Sequence, residues 1–379
     1  MLRSAGVICF LPVVLLTIFT PQGSPLTATY QNWRQDSFIG NLGNAIATVI
    51  ESIPSGGVLV FLPSYATLKK CVIRWQSQQD TKGWQVIERS RVESTIWERL
   101  VASKGKVIVE PTGSQNDFEL AREEYAHTIS TTGSCVLLAV FRGKMSEGIS
   151  FNDENARGVI CVGVPFPHAF SRPITAKKAY NDEQRRVHKR MEVLSGSEWY
   201  AQQAFRAIAQ ALGRCIRHAS DYGTIVLMDS RHCDVGGPRE GDLCQAHLRL
   251  PKWMRHHVKN LTMRNNADAC TKSIHGGWAG LQQEMKRFFT EAPIHAQHVR
   301  DEQAIHLIKS QAQSSGSHQF DVKTGSWTLT VPIAPDATHL EVSQDSVPNV
   351  HSIFALQTPT RYHSPEPEAH VNKEAKMVT

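Results

Sequence analysis

The sequence predicts an α/β protein in which a parallel sheet is flanked by helices, with a tail that has no core of its own. Three observations carry this. Short apolar runs recur between residues 58 and 228, each of a length that suits a strand covered on both faces. Segments with helical spacing alternate with them. Several runs give way to loops bearing glycine, hydroxyl or charged residues, and open α/β sheets bind ligands at the carboxyl ends of their strands.

Taken in order, a helix is expected over 43–52 and a strand over 58–62, Val-Leu-Val-Phe-Leu, which ends in Pro63-Ser64-Tyr65. A helix over 65–76, a strand over 107–110, a helix over 117–130 and a strand over 135–141 follow. That strand runs into a two-glycine loop, Arg142-Gly-Lys144-Met-Ser146-Glu147-Gly148-Ile-Ser150. A strand over 158–162, helices over 176–193 and 197–212, and a strand over 224–228 complete the series. In the last helix Ala201, Ala204, Phe205, Ile208, Ala211 and Leu212 recur at helical spacing. At about 100° per residue, Gln203, Arg206, Gln210, Arg214 and Arg217 fall within roughly an 80° arc if the helix continues through Gly213. Arginine stays charged and binds phosphate oxygens in a planar, bidentate way. Such a row suits gripping a polyphosphate while charge develops on it. A solvated helix face has the same composition, and that alternative stays open on the stripe alone.

The segments 56–65, 137–151 and 210–218, in that order, resemble motifs IV, V and VI of superfamily 2 helicases. The likeness is to the iron–sulfur, DEAH-type DNA helicases of the xeroderma pigmentosum group D kind, and nearest to the Fanconi anaemia group J type. It runs from about Pro21 to about Val258 and includes Ser24-Pro-Leu-Thr-Ala-Thr-Tyr-Gln-Asn32, Val107-Ile-Val-Glu-Pro111, Asn155-Ala-Arg-Gly-Val-Ile160, Ser195-Gly-Ser-Glu-Trp-Tyr200 and Leu250-Pro-Lys-Trp-Met-Arg255. The resemblance implies a RecA-like second motor domain. It makes Gln210, Arg214 and Arg217 nucleotide-facing, with the arginines as fingers on the γ-phosphate, and puts Gly213 beside them. It places Arg142, Lys144 and Ser146 on nucleic-acid backbone, with Glu147, Gly148 and Ser150 where that contact is coupled to the nucleotide. Ser64 and Tyr65 lie near the nucleic-acid track, although packing at a helix start explains Tyr65 equally well. One departure stands out: the family usually has an aspartate where this chain has Ser150. A neutral, shorter side chain holds a positive partner less tightly and weakens the expected ATP coupling.

ATP hydrolysis in this family needs a phosphate-cradling G-x-x-x-x-G-K-[ST] loop and an Asp-Glu-Ala-His carboxylate pair for Mg²⁺. Neither occurs in these 379 residues. The cysteines (Cys9, Cys71, Cys135, Cys161, Cys215, Cys233, Cys244 and Cys270) are dispersed and do not form the family's four-cysteine iron–sulfur site. Cys233, Cys244 and His247 have no recognised metal spacing, and no metal site is expected. The expected contribution is that of the second motor domain, with ATP and Mg²⁺ bound mainly by a first motor domain. DNA, single-stranded or forked, is the expected partner. The runner-up reading is a catalytically inactive module that binds nucleic acid or a partner.

The formal net charge of +6 fits a nucleic-acid surface without demanding one. The basic run 185–190 fits a phosphate-facing helix, a nuclear import signal or a solvated face. Residues 1–21 form an apolar leader that Pro12 interrupts and that is short for a membrane span. It reads as a secretory signal or as a mis-assembled start, so the expected location is the nucleus, with secretion or membrane targeting as the alternative. The domain is expected over 22–260, a helical extension over 261–310 with Trp278, Leu281, Met285 and Phe288 on one side, and a flexible Ser/Pro-rich tail over 311–379.

Overall fold

Alternate residues of the central strands enter two separate cores, one on each face of a parallel sheet. Val58, Val60 and Leu62 pack on one side with Val136, Leu138, Val140, Ile160, Val226 and Met228. Leu59 and Phe61 pack on the other with Leu137, Ala139, Val159, Cys161, Ile225 and Leu227. Side chains alternate along a strand, so a sheet covered on both faces needs apolar residues at every position. The computed structural model describes residues 13–16, 20, 24–77, 94–145, 151, 153–188, 193–214, 216–218, 220–232, 249–252, 255–261, 273–274, 276–314, 318–321 and 326–329.

Its strands are β1 (Val13–Leu16), β2 (Gly56–Leu62), β3 (Val107–Val109), β4 (Ser134–Val140), β5 (Gly158–Val162), β6 (Thr224–Met228), β7 (Val258–Leu261) and β8 (Ser273–Ile274). They are ordered β3-β4-β2-β5-β6-β1-β7-β8, and every pairing is parallel. The five expected strands are therefore the contiguous part β3-β4-β2-β5-β6. The sheet also extends past β6, because Val13–Leu16 of the apolar leader pairs with both β6 and β7.

The helices are α1 (Asp36–Glu51), α2 (Tyr65–Ser77), α3 (Ile96–Lys104), α4 (Gln115–Thr132), α5 (Arg172–His188), α6 (Gly196–Leu212) and α7 (Gly277–Ser314). α1 begins seven residues before the expected 43–52 span, because Phe38, Ile39 and Leu42 are buried against the sheet. α5 begins at Arg172 rather than 176 and has no buried residue. Where it is described its basic run is exposed: Arg185 pairs with Glu198 at 2.7 Å and Arg186 with Glu183 at 2.7 Å. α3 was not anticipated. It starts with a reciprocal capping box between Thr95 and Glu98, and the same device opens α4 at Ser114/Asp117 and α6 at Ser195/Glu198. Each cap contributes about 1 kcal/mol.

The first compact unit runs from Met1 to Ile308. Within it the start of α7 completes the first core through Trp278, Leu281, Met285, Phe288, Phe289 and Ala292. No helix among the described residues is long and apolar enough to cross a membrane. The second unit, Lys309–Thr379, includes a two-stranded antiparallel ladder, β9 (His318–Asp321) with β10 (Ser326–Leu329). The single strand expected around Trp327 is thus one half of a pair.

Candidate nucleotide and nucleic-acid site

The candidate residues fall into two groups at opposite ends of the sheet. The first gathers at the carboxyl ends of β2, β3 and β4, and its hub is Glu110, which is 2 % exposed. The Tyr65 hydroxyl donates to Glu110 Oε1 at 2.8 Å. The backbone N–H of Met145 donates to the same oxygen at 3.1 Å, and that of Val140 to Oε2 at 2.8 Å. One carboxylate thereby holds the start of α2, the end of β4 and the loop that follows it. Burial, then the hydrogen bond to Glu110 and its charge, pushes the Tyr65 phenol up to about 12. Ser64 caps α2: its hydroxyl accepts the Thr67 N–H at 3.2 Å, and the Thr67 hydroxyl accepts the Ser64 N–H at 3.0 Å.

The loop after β4 is pressed onto this hub. A Cβ on Gly143 would lie 2.4 Å from Glu110 Oε1, so only glycine fits there with the carboxylate in place. Arg142 takes a left-handed backbone with φ of 60°. Its guanidinium donates to the Gln203 carbonyl on α6 at 2.5 Å. Arg142 and Lys144 are both exposed. Ser146, Glu147, Gly148 and Ser150 lie outside the described residues.

The second group sits at the amino ends of β5 and β6. The stripe on α6 does not continue as a helix to Arg217. Helical structure ends at Leu212, where the Gly213 N–H bonds the Ala209 carbonyl at 3.0 Å and the Arg214 N–H bonds that of Ala211 at 3.2 Å. The chain then turns because the Arg217 N–H is held by Asp221 Oδ2 at 3.1 Å. Asp221 Oδ1 accepts from Arg157 Nη1 at 2.9 Å, and the Arg157 guanidinium lies 3.8 Å over the Tyr222 ring. His218 Nε2 is 3.2 Å from Asp153 Oδ1. Gln210 and Arg217 are exposed, and Arg214 is half-buried.

Asp153, His218 and Asp221 present ligand atoms within 4.8 Å of one another. Both Asp221 oxygens are already engaged by Arg157 and by backbone N–H groups, so the cluster reads as an anchor for the arginine turn. Nor do the described cysteines fit an iron–sulfur cluster. Cys71, Cys135 and Cys161 are buried in α2, β4 and β5. Burial pushes the Cys71 thiol well above its ordinary value and that of Cys135 up to about 12, away from the thiolate a metal requires. The other cysteines lie outside the described residues.

The five residues of β5 separate the two groups by roughly 16 Å, and α6 spans that gap, with Gln203 near the first group and Gln210 at the second. With this geometry in hand, comparison with known proteins is decisive: the helicase C-terminal domain family matches residues 46–255. The chain belongs to that family. It is 32 % identical over 335 residues to a Fanconi anemia group J protein homolog of Gallus gallus, covering 87 % of this chain and 23 % of that protein. It is 37 % identical over 238 residues to a Regulator of telomere elongation helicase 1 homolog of Drosophila ananassae, covering 63 % of this chain and 21 % of that protein. The chain thus spans less than a quarter of these two relatives. A solved XPD helicase structure is similar with a TM-score of 0.36 and 20 % identity, over 58 % of this chain and 31 % of that one.

The helicase C-terminal domain was legible in its motifs, but two of its structural anchors were not. Glu110 carries no signal of its own in the sequence, because its role depends on partners 30 to 45 residues away. The Arg157–Asp221 pair spans 64 residues and leaves no local pattern.

Proposed function

We propose that this chain is the second motor half of an ATP-dependent DNA helicase, moving 5′ to 3′ on single-stranded DNA in repair and genome maintenance in the nucleus. The carrying observation is the two-ended arrangement along α6 within a helicase C-terminal domain. Arg214 and Arg217 stand at one end, on a turn fixed by Asp221, and Arg142 and Lys144 at the other, on a loop fixed by Glu110. In this reading the arginine turn meets the γ-phosphate of ATP held by a first motor domain, which supplies the phosphate loop and the Mg²⁺ carboxylates. Fixed guanidiniums stabilise charge that develops on a transferring phosphoryl group. The loop of Arg142 and Lys144 holds DNA phosphates.

The test is ATP turnover and single-stranded DNA binding by the purified chain beside an Arg214→Ala variant. DNA binding without turnover in either protein is expected. DNA-stimulated turnover by the chain alone, lost in the variant, would overturn the half-motor reading. Failure to bind DNA at all would overturn the DNA-contacting role.

A further inference from the structure

We propose that a cationic pocket on α6, apart from the motif residues, binds the phosphodiester backbone of single-stranded nucleic acid. The inference rests on the reading of the chain as a DNA-contacting helicase half. The pocket has a volume of about 510 Å³; Arg206 of α6 lines it together with Arg249, Lys252 and Arg255 of the segment leading to β7. Its floor is apolar, formed by Phe205 and Leu250, which are 7 % and 2 % exposed. Arg249 lies 5.4 Å from the centre of the Phe205 ring, and Arg255 Nε donates to the Leu250 carbonyl at 2.9 Å.

Charge decides the ligand class. Four cations share one concavity, and among the described residues no carboxylate lines it. Among the described residues none pairs with Arg206, Arg249 or Lys252. Like charges over a low-dielectric floor repel one another and focus a strong positive potential, which a polyanion relieves. The volume is in the range of drug-sized ligands and exceeds what one phosphate ion fills.

Position and chemistry favour a strand over a free nucleotide. Arg206 lies on α6 between Gln203, which Arg142 grips, and Gln210 beside the arginine turn. A backbone crossing α6 from the loop of Arg142 and Lys144 meets the pocket next. Among the described lining residues the one aromatic ring, Phe205, is buried and carries Arg249 over it, so it offers no open face for a base to stack upon. The pocket is built to read phosphates without reading sequence.

The experiment is binding of a labelled oligothymidylate to the full chain across a salt series, by fluorescence anisotropy. The variants are Arg206→Gln/Lys252→Gln, at two exposed positions that leave the floor intact, and Arg142→Gln/Lys144→Gln at the loop. Matched thermal melts identify any variant that fails to fold. The pocket variant is expected to bind about 10-fold more weakly, with a log K against log salt slope shallower by about 1.4, from two phosphate contacts at about 0.7 each on single strands. Wild-type affinity and slope in the pocket variant, with loss in the loop variant, overturn the pocket and leave the helicase reading standing. No binding by the wild-type chain overturns both. If tripolyphosphate binds in a manner that depends on Arg206 and Lys252, and the oligonucleotide does not compete, the occupant is a free polyphosphate and the strand assignment fails.

Discussion

The Tyr65 hydroxyl and the Glu110 carboxylate meet at 2.8 Å. That contact joins the start of α2 to the loop after β4. Glu110→Ala leaves the N–H groups of Val140 and Met145 buried without an acceptor, at a cost of about 3 kcal/mol, whereas Tyr65→Phe costs about 1 kcal/mol. Urea unfolding of the two variants should show that ranking. Equal effects would mean that the phenol, and not the backbone contacts, holds the hub together.

Gly143→Ala places a methyl group 2.4 Å from Glu110 Oε1. The carboxylate must move, and the variant should lose about 1–3 kcal/mol through overpacking. Combined with Glu110→Ala, the substitution should cost almost nothing more, since the clash is gone. Additive losses in a double-mutant cycle would place the strain elsewhere.

Lys104 is buried beneath the end of α1, where its ammonium donates to the Ile53 carbonyl at 2.5 Å. Burial lowers its pKa from 10.5 to about 8. Between those values the unfolded chain binds the proton and the folded chain does not, so this group makes stability rise with pH from about 8 to about 10.5, by up to ~3 kcal/mol. The buried Cys71 and Cys135 thiols act in the opposite direction above their ordinary range. The difference between wild type and Lys104→Met isolates the lysine: the advantage of the variant should be largest below pH 8 and shrink through the alkaline range. A difference independent of pH would show that the amine is not desolvated.

Arg157 and Asp221 are 4 % and 2 % exposed and 2.9 Å apart. Removing either partner strands a buried charge, so Arg157→Met and Asp221→Ala should each lose about 3–5 kcal/mol. Asp221→Ala should also free the Arg217 N–H and raise amide exchange over 216–218, which Arg157→Met should do less. Exchange unchanged in Asp221→Ala would remove the anchoring role assigned to it.

β5 and β6 could be read from the sequence to the residue, because each is an unbroken apolar run with every side chain buried. The helix expected from residue 43 begins at Asp36: Gly40 and Asn41 are poor helix formers, but burial of Phe38, Ile39 and Leu42 overrides that preference. α3 carries a Thr95–Glu98 capping signature that is readable in the sequence. Arg214 and Arg217 were legible as following α6, but their geometry was not. A helical projection through Gly213 cannot include a hydrogen bond from Arg217 to a carboxylate four residues further on. β1 was hidden because a leader-like apolar run and an internal parallel strand have the same composition.

The burial of Trp278, Leu281, Met285, Phe288 and Ala292 in the first core has a consequence for how this polypeptide can be cut. The family match stops at residue 255, yet a chain ended there would leave the sheet face that carries Val226 and Met228 without this part of its cover. Alternative splicing or proteolysis between 262 and 272 would therefore not release a tidy motor half. It would yield a sticky remnant prone to chaperone capture and degradation.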